Sequence, residues 1–219
     1  MIPVGITREG AFVLEDDDPS KFPLDAAHLP EVADNGTRVL WPEPGGDRTL
    51  RVVRQDGTVE GFGEIDIVLP ILHGTHGEDG TIQGYFDTLE VPYAGGGVLD
   101  SALCMDKHFM KITLRAAGLS VAPGITVRSR EWERDAASVR ASAVDLGMPL
   151  FVKPARAGSS VGVSKVERPD ELDAALAIAF AEDDKVLIES GVVGREIEVA
   201  VLESCLLYTS DAADDSLRV

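Results

Sequence analysis

The chain is short of cysteine, of aromatic side chains and of positive charge. Two cysteines in 219 residues, Cys104 and Cys205, have neither the density of a disulfide scaffold nor the spacing of a metal site, and they fit a reducing compartment. Cys104 is expected to be a small buried hydrophobe and not a nucleophile. Twenty lysines and arginines stand against 38 aspartates and glutamates, a formal net charge of -18, which argues against nucleic acid or an anionic membrane as the main partner. Any phosphate ligand must then be held by a local concentration of positive charge. No apolar run approaches the roughly 20 residues of a membrane span, and the opening MIPVGITREG lacks a basic segment followed by an apolar one, so the chain reads as cytosolic. Internal repeats are also missing. What the chain has in quantity is apolar residues, 44 % of the total, enough for a core in one large domain or two small ones.

The most informative stretch is Leu150 to Val166, LFVKPARAGSSVGVSKV. Two short apolar runs bounded by Gly and Pro read as strands. Between them Gly158, Ser159, Ser160 and Gly162 leave the backbone free to bend and expose amides and hydroxyls with little side-chain bulk. Lys153, at the end of the first strand, adds a point charge. Together these predict a flap over phosphates, with a plain glycine-serine hairpin turn as the alternative. No Walker motif is present, because no GKS or GKT follows and the next element is a strand.

Met1 to Thr7 and Ala11 to Leu14 read as hairpin arms around Gly10, and Asp56-Gly57 as the turn of a second hairpin. Asp16 to Gly46, rich in Asp, Pro and Gly, is predicted to be loop with short helical pieces. Ile65 to Leu72, IDIVLPIL, has the near-continuous apolarity of a strand covered on both faces, hence of a parallel sheet. HGTHGEDG follows it at the place where ligands gather in open α/β sheets, and a helix over Thr81 to Leu89 would point its first amides there. His73 is a candidate to hydrogen-bond or protonate a substrate, or else a structural hydrogen-bonder. Gly95-Gly96-Gly97 marks a domain joint. Ser101 is expected to cap one helix running to about Ala117, with Lys107 and Lys111 on one solvated face. Ser129 is expected to cap a second, through Leu146, and Pro169-Asp170 to open a third with Leu172, Ala175, Leu176, Ala179 and Phe180 inward. Val186 to Ile188 and Glu196 to Leu202 read as strands, the latter antiparallel.

Four motifs then fall in order: HGTHGEDG, PYAGGGVLDSALCMDK, FVKPARAGSSVGVSKV and VLIESGVVGREIEVAVL. The combination resembles the D-alanine–D-alanine ligases of the ATP-grasp superfamily, over about Pro3 to Leu202. The resemblance implies an α/β and α+β chain: a partial N-terminal α/β domain over 1–95, a central ATP-grasp subdomain over 96–192, and the first strand of the C-terminal subdomain over 193–204. It implies that Lys107 and Lys153 hold ATP phosphates and that Ser159 and Ser160 cover them, Ser159 also belonging to a network around the first D-alanine. His73 would lie near the acyl-phosphate, Glu189 would accept from the adenine amino group, backbone at Val192 would read the ring edge, and Glu196 would bind ribose. The implied reaction phosphorylates one D-alanine carboxylate with ATP, and the amine of a second D-alanine displaces the phosphate, giving a dipeptide for peptidoglycan. Mg²⁺, cytoplasmic location and, for full-length members, a homodimer follow from the same resemblance.

Two parts of the family pattern do not appear: the opening strand with its glutamate turn, and the downstream acidic residues that hold two Mg²⁺ ions. The chain is therefore expected to be a fragment with no metal ligands of its own and no turnover. Residues 205–219 do not resemble the family, and Cys205 to Asp214 look like a translated sequencing adaptor, with a natural divergent terminus as the alternative. The competing functions are a D-alanine–D-lactate or D-alanine–D-serine ligase, another ATP-grasp carboxylate–amine ligase, or a non-catalytic nucleotide-binding module.

Overall fold

Short apolar runs punctuated by glycine, proline and aspartate fold here as short elements, and the computed structural model describes residues 1–22, 30–197, 200–203 and 207–210 of the chain. They are mixed α/β and divide into two compact units, residues 1–119 with 155–161 and residues 120–154 with 162–219. The joint expected at Gly95-Gly96-Gly97 thus falls inside the first unit.

In the first unit β1 (Val4–Ile6) pairs antiparallel with β2 (Phe12–Leu14) around Gly10, whose φ of 85° needs a residue without a side chain. The strands β3 (Arg38–Leu40), β4 (Thr49–Val53) and β5 (Val59–Glu64) form an antiparallel meander. Its Asp56-Gly57 turn is closed by Arg54 N–H to Thr58 O at 2.8 Å. Val39, Leu50 and Val52 form one small core and Ile82, Phe86 and Val91 another, with Phe12 and Trp41 packed against both.

The run Ile65 to Leu72 departs from expectation. Only the parallel bridge Val68↔Tyr93 forms, with Val68 N–H to Pro92 O and Ala94 N–H to Val68 O both at 2.8 Å. Besides these, Ile65 N–H, at the head of the run, donates to Arg48 O at 2.8 Å just before β4. Ile67, Leu69 and Ile71 are 58 %, 63 % and 73 % exposed, so the run is parallel in sense but is not a strand covered on both faces.

Two helix expectations also change. The helix α1 (Thr81–Thr88) forms as predicted, but the single helix expected from Ser101 is two, α2 (Val98–Met105) and α3 (Lys107–Ala116). Asp106, at φ -93° and ψ 102°, interrupts them and its carboxylate accepts the His108 and Phe109 amides, so the aspartate and not Ser101 starts the second segment. Cys104, expected to be buried, is exposed.

The second unit is built on one antiparallel sheet in the order β6 (Gly124–Arg128), β9 (Lys185–Ser190), β7 (Leu150–Pro154), β8 (Ser164–Val166). The segment predicted as one helix from Ser129 is again two, α4 (Ser129–Arg134) and α5 (Ala136–Val144), divided at Asp135, whose side chain accepts from Ser138 N–H. A 3-10 turn at Pro169–Glu171 leads into α6 (Leu172–Glu182), as the Pro-Asp signal predicts. Leu172, Ala175, Leu176 and Ala179 of α6 close over Leu150, Val152, Val186 and Ile188, all buried, while Phe180 is half-buried beside them. At full burial a side chain of this size contributes about 1.5–3 kcal/mol, so this face fixes the sheet. The strand expected over Glu196 to Leu202 is observed only from Ala200: β10 (Ala200–Glu203) pairs antiparallel with β11 (Leu207–Ser210). Glu196 and Ile197 lie outside it, and Glu198 and Val199 are outside the described residues.

Candidate functional site

Because side chains alternate along a strand, the face of the sheet opposite α6 carries Phe151 and Lys153 on β7 and Lys185, Leu187 and Glu189 on β9. The register sets Phe151 opposite Glu189 and Lys153 opposite Leu187, which makes Lys153 and Glu189 diagonal neighbours. Lys153 Nζ and Glu189 Oε2 form an ion pair whose side chains are 26 % and 7 % exposed. A carboxylate this shielded needs a cation beside it, and the β7–β9 register supplies one. Lys185, 4 % exposed, stands on the same face two side chains along from Glu189. Sequence reading overlooked it, although the alternation of Lys185, Leu187 and Glu189 against Val186 and Ile188 carries the signal. Val192 and Glu196 are exposed in the irregular segment after β9, and Glu196 makes no hydrogen bond or ion pair among the described residues.

In the first unit Lys107 opens α3, where the Asp106 cap holds it. Its backbone N–H donates to Ala155 O at 3.0 Å, and its Nζ donates to Ala155 O at 3.4 Å and to Ala157 O. Beyond those carbonyls the chain turns sharply: Val161 N–H donates to Gly158 O at 3.0 Å, and the two central residues, Ser159 and Ser160, have φ of 47° and 57°. Two successive positive φ values at non-glycine residues cost about 1–2 kcal/mol each. Both serines are exposed, as a surface offered to a ligand requires.

His73 is exposed and makes no hydrogen bond among the described residues. The loop after it is tied by carboxylates: Glu78 accepts from Gly74 N–H at 2.6 Å, and Asp79 accepts from His76 N–H at 2.9 Å and Thr81 N–H at 3.0 Å. Burial pushes the Asp79 carboxyl up, but the His76 and Thr81 hydrogen bonds outweigh it and hold the group below its ordinary 3.8. Asp79 and the His76 carbonyl engage the Thr81 and Ile82 amides, so these two first-turn donors of α1 do not face a ligand as expected. Among the described residues no group of three or more His, Cys, Asp or Glu side chains is placed to hold a metal ion, and no helix is long and apolar enough to cross a membrane.

The structure therefore brings Lys153 to Glu189 and Lys107 to the root of the serine turn, and leaves His73, Val192 and Glu196 at the surface. Comparison with known proteins gives this arrangement a context. A family model described as the D-ala D-ala ligase N-terminus matches residues 1–96, and one described as the D-ala D-ala ligase C-terminus matches residues 113–213. The D-alanine--D-alanine ligase of Paenarthrobacter aurescens is 50 % identical over 203 residues, covering 93 % of this chain and 54 % of the relative; that of Streptomyces coelicolor is 43 % identical over 212 residues with the same shares. Among solved structures, VanG D-Ala:D-Ser ligase from Enterococcus faecalis matches with a TM-score of 0.75 at 34 % identity, over 95 % of this chain and 57 % of that one. The D-alanine-D-alanine ligase from Coxiella burnetii matches with a TM-score of 0.74 at 30 % identity, over 94 % and 58 %. The chain spans about half the length of the curated relatives it matches. With both family models aligned in order along it and the ATP-grasp ligases as its structural neighbours, the chain belongs to the D-alanine–D-alanine ligase family.

Proposed function

We propose that this chain supplies the nucleotide-holding part of an ATP-dependent ligase that joins two D-alanines for peptidoglycan synthesis in the cytoplasm. The observation that carries the reading is the shielded Lys153–Glu189 pair on one face of a sheet whose other face is a closed core. In a chain of net charge -18, ammonium groups beside bendable serine backbone are where a polyphosphate is stabilised. Lys153 and Lys107 neutralise phosphate oxygens, Ser159 and Ser160 donate from the turn, and Glu189, with backbone at Val192, takes the adenine edge. Glu196 binds ribose, and His73 hydrogen-bonds near the carboxylate that receives the phosphoryl group.

Phosphoryl transfer asks the protein chiefly for position and compensating charge, which rigid strands and a capped helix provide. The acyl phosphate so formed is prone to hydrolysis, and the serine turn serves to keep water from it. Mg²⁺ would neutralise the transferring phosphates, and the described residues offer no cluster of three or more His, Cys, Asp or Glu side chains to hold it. Full-length members of this kind would pair as homodimers. The match to VanG, a D-Ala:D-Ser ligase, supports D-serine as a second candidate for the amine substrate.

Titration calorimetry with ATP tests the reading. The chain should bind ATP, and Lys153→Met should weaken binding at least about tenfold by removing the ammonium that faces the phosphates and the shielded Glu189. With D-alanine and Mg²⁺ added, the chain is expected to release no ADP. No ATP binding by the wild-type chain, or equal binding by the variant, would overturn the assignment.

A further inference from the structure

The Lys107 ammonium is bonded to the two carbonyls from which the serine turn hangs. Its own backbone N–H reaches Ala155 O at 3.0 Å, its Nζ reaches Ala155 O at 3.4 Å, and its Nζ also reaches Ala157 O. One residue further on begins the Gly158–Val161 turn, with Ser159 and Ser160 both left-handed. Such a backbone relaxes unless something outside the turn restrains it. The bond within the turn, Val161 N–H to Gly158 O, closes it but joins only residues of the turn itself. Lys107 anchors the residues from which the turn hangs, and the lysine is placed in turn by the Asp106 cap on α3.

We propose that Lys107 is the latch of this loop as well as a phosphate ligand: in the nucleotide-free protein its ammonium holds the Ala155 and Ala157 carbonyls, and an arriving phosphate exchanges with them for the same ammonium. The inference rests on the reading of Lys107 as a phosphate ligand and goes beyond it. A carbonyl oxygen is a weaker partner for an ammonium than an anionic phosphate oxygen, so the exchange runs in the direction of binding. Losing the lysine frees the strained serines to leave their left-handed wells, and the turn can then rearrange over the ligand. The phosphate thereby releases its own lid to close. Lys107 is a positioning residue in the empty state and a ligand in the filled one.

Amide hydrogen exchange at residues 158–162, measured without nucleotide, tests the latch. Lys107→Met should raise exchange there by about tenfold, the effect of one charge-assisted bond on a local opening, while amides of β7 and β9 keep their protection. Lys107→Arg, which keeps the charge and the donors, should stay within about twofold of wild type. Equal exchange in wild type and Lys107→Met overturns the latch, and so does loss of protection in both variants alike. Should Lys107→Met unfold the unit, the wild-type chain decides by itself: the carbonyl carbon resonance of Ala157 should move upfield when inorganic tripolyphosphate is added, and a stationary resonance overturns the proposal. Failure of the nucleotide reading would show separately, as absence of ATP binding by calorimetry, because the exchange experiment contains no nucleotide.

Discussion

β9 and the run Ile65 to Leu72 are both short and apolar, yet they meet opposite fates. β9 is paired on both edges, by β6 and β7, and residues 185 to 189 are buried without interruption. The run in the first unit touches Tyr93 on one side and shows Ile67, Leu69 and Ile71 to solvent. The difference does not lie in hydrophobicity, since IDIVLPIL is the more apolar of the two. It lies in partners: an apolar stretch becomes an interior strand only when other segments satisfy both rows of its backbone groups and cover both faces.

Mutations sharpen that contrast. Ile188→Ala, which opens a cavity against α6, should lower stability in urea by about 2–5 kcal/mol, whereas Ile71→Ala should stay within about 0.5 kcal/mol. Next in size is the charged face of β9. Lys153→Met should cost about 1–3 kcal/mol by removing the ammonium from the shielded Glu189 carboxylate, and adding Glu189→Gln should restore part of it; two additive losses would show that the pair is not coupled. Asp106→Ala should cost about 1 kcal/mol and fray the start of α3 in hydrogen exchange, with α6 unaffected.

The smallest effect belongs to the loop after the exposed run. The folded Asp79 carboxyl titrates below its unfolded value of 3.8, so its contribution is complete above that pH and fades as pH falls through the folded value. Amide resonances of His76 and Thr81 should therefore hold steady down to about pH 4 and move only in more acid solution. Movement centred between pH 5 and 7 would contradict the Asp79 anchor.

Local signals carried much of this in the sequence. The Leu150 to Val166 hairpin, the Asp56-Gly57 turn and the Pro169 start of α6 are legible because proline, glycine and aspartate act within a few residues of themselves. Family resemblance pointed to Lys107, Lys153 and Glu189, but the direct contact of the last two depends on the β7–β9 register, which no local pattern encodes. The breaks at Asp106 and Asp135 escaped notice because an aspartate inside a helical pattern looks like a surface residue until its carboxylate is seen on the following amides. Lys185 was missed for the reverse reason, since a lysine at the edge of an apolar run reads as a boundary and here begins the strand.

β9 has a greasy back and an ionic front, and both belong to one backbone. The backbone at the front cannot shift unless Val186 and Ile188 shift behind it, so the nucleotide grip proposed for this face should not soften gradually with warming. It should stay level until the interior melts and then vanish with it, in a single cooperative step shared by ligand release and unfolding.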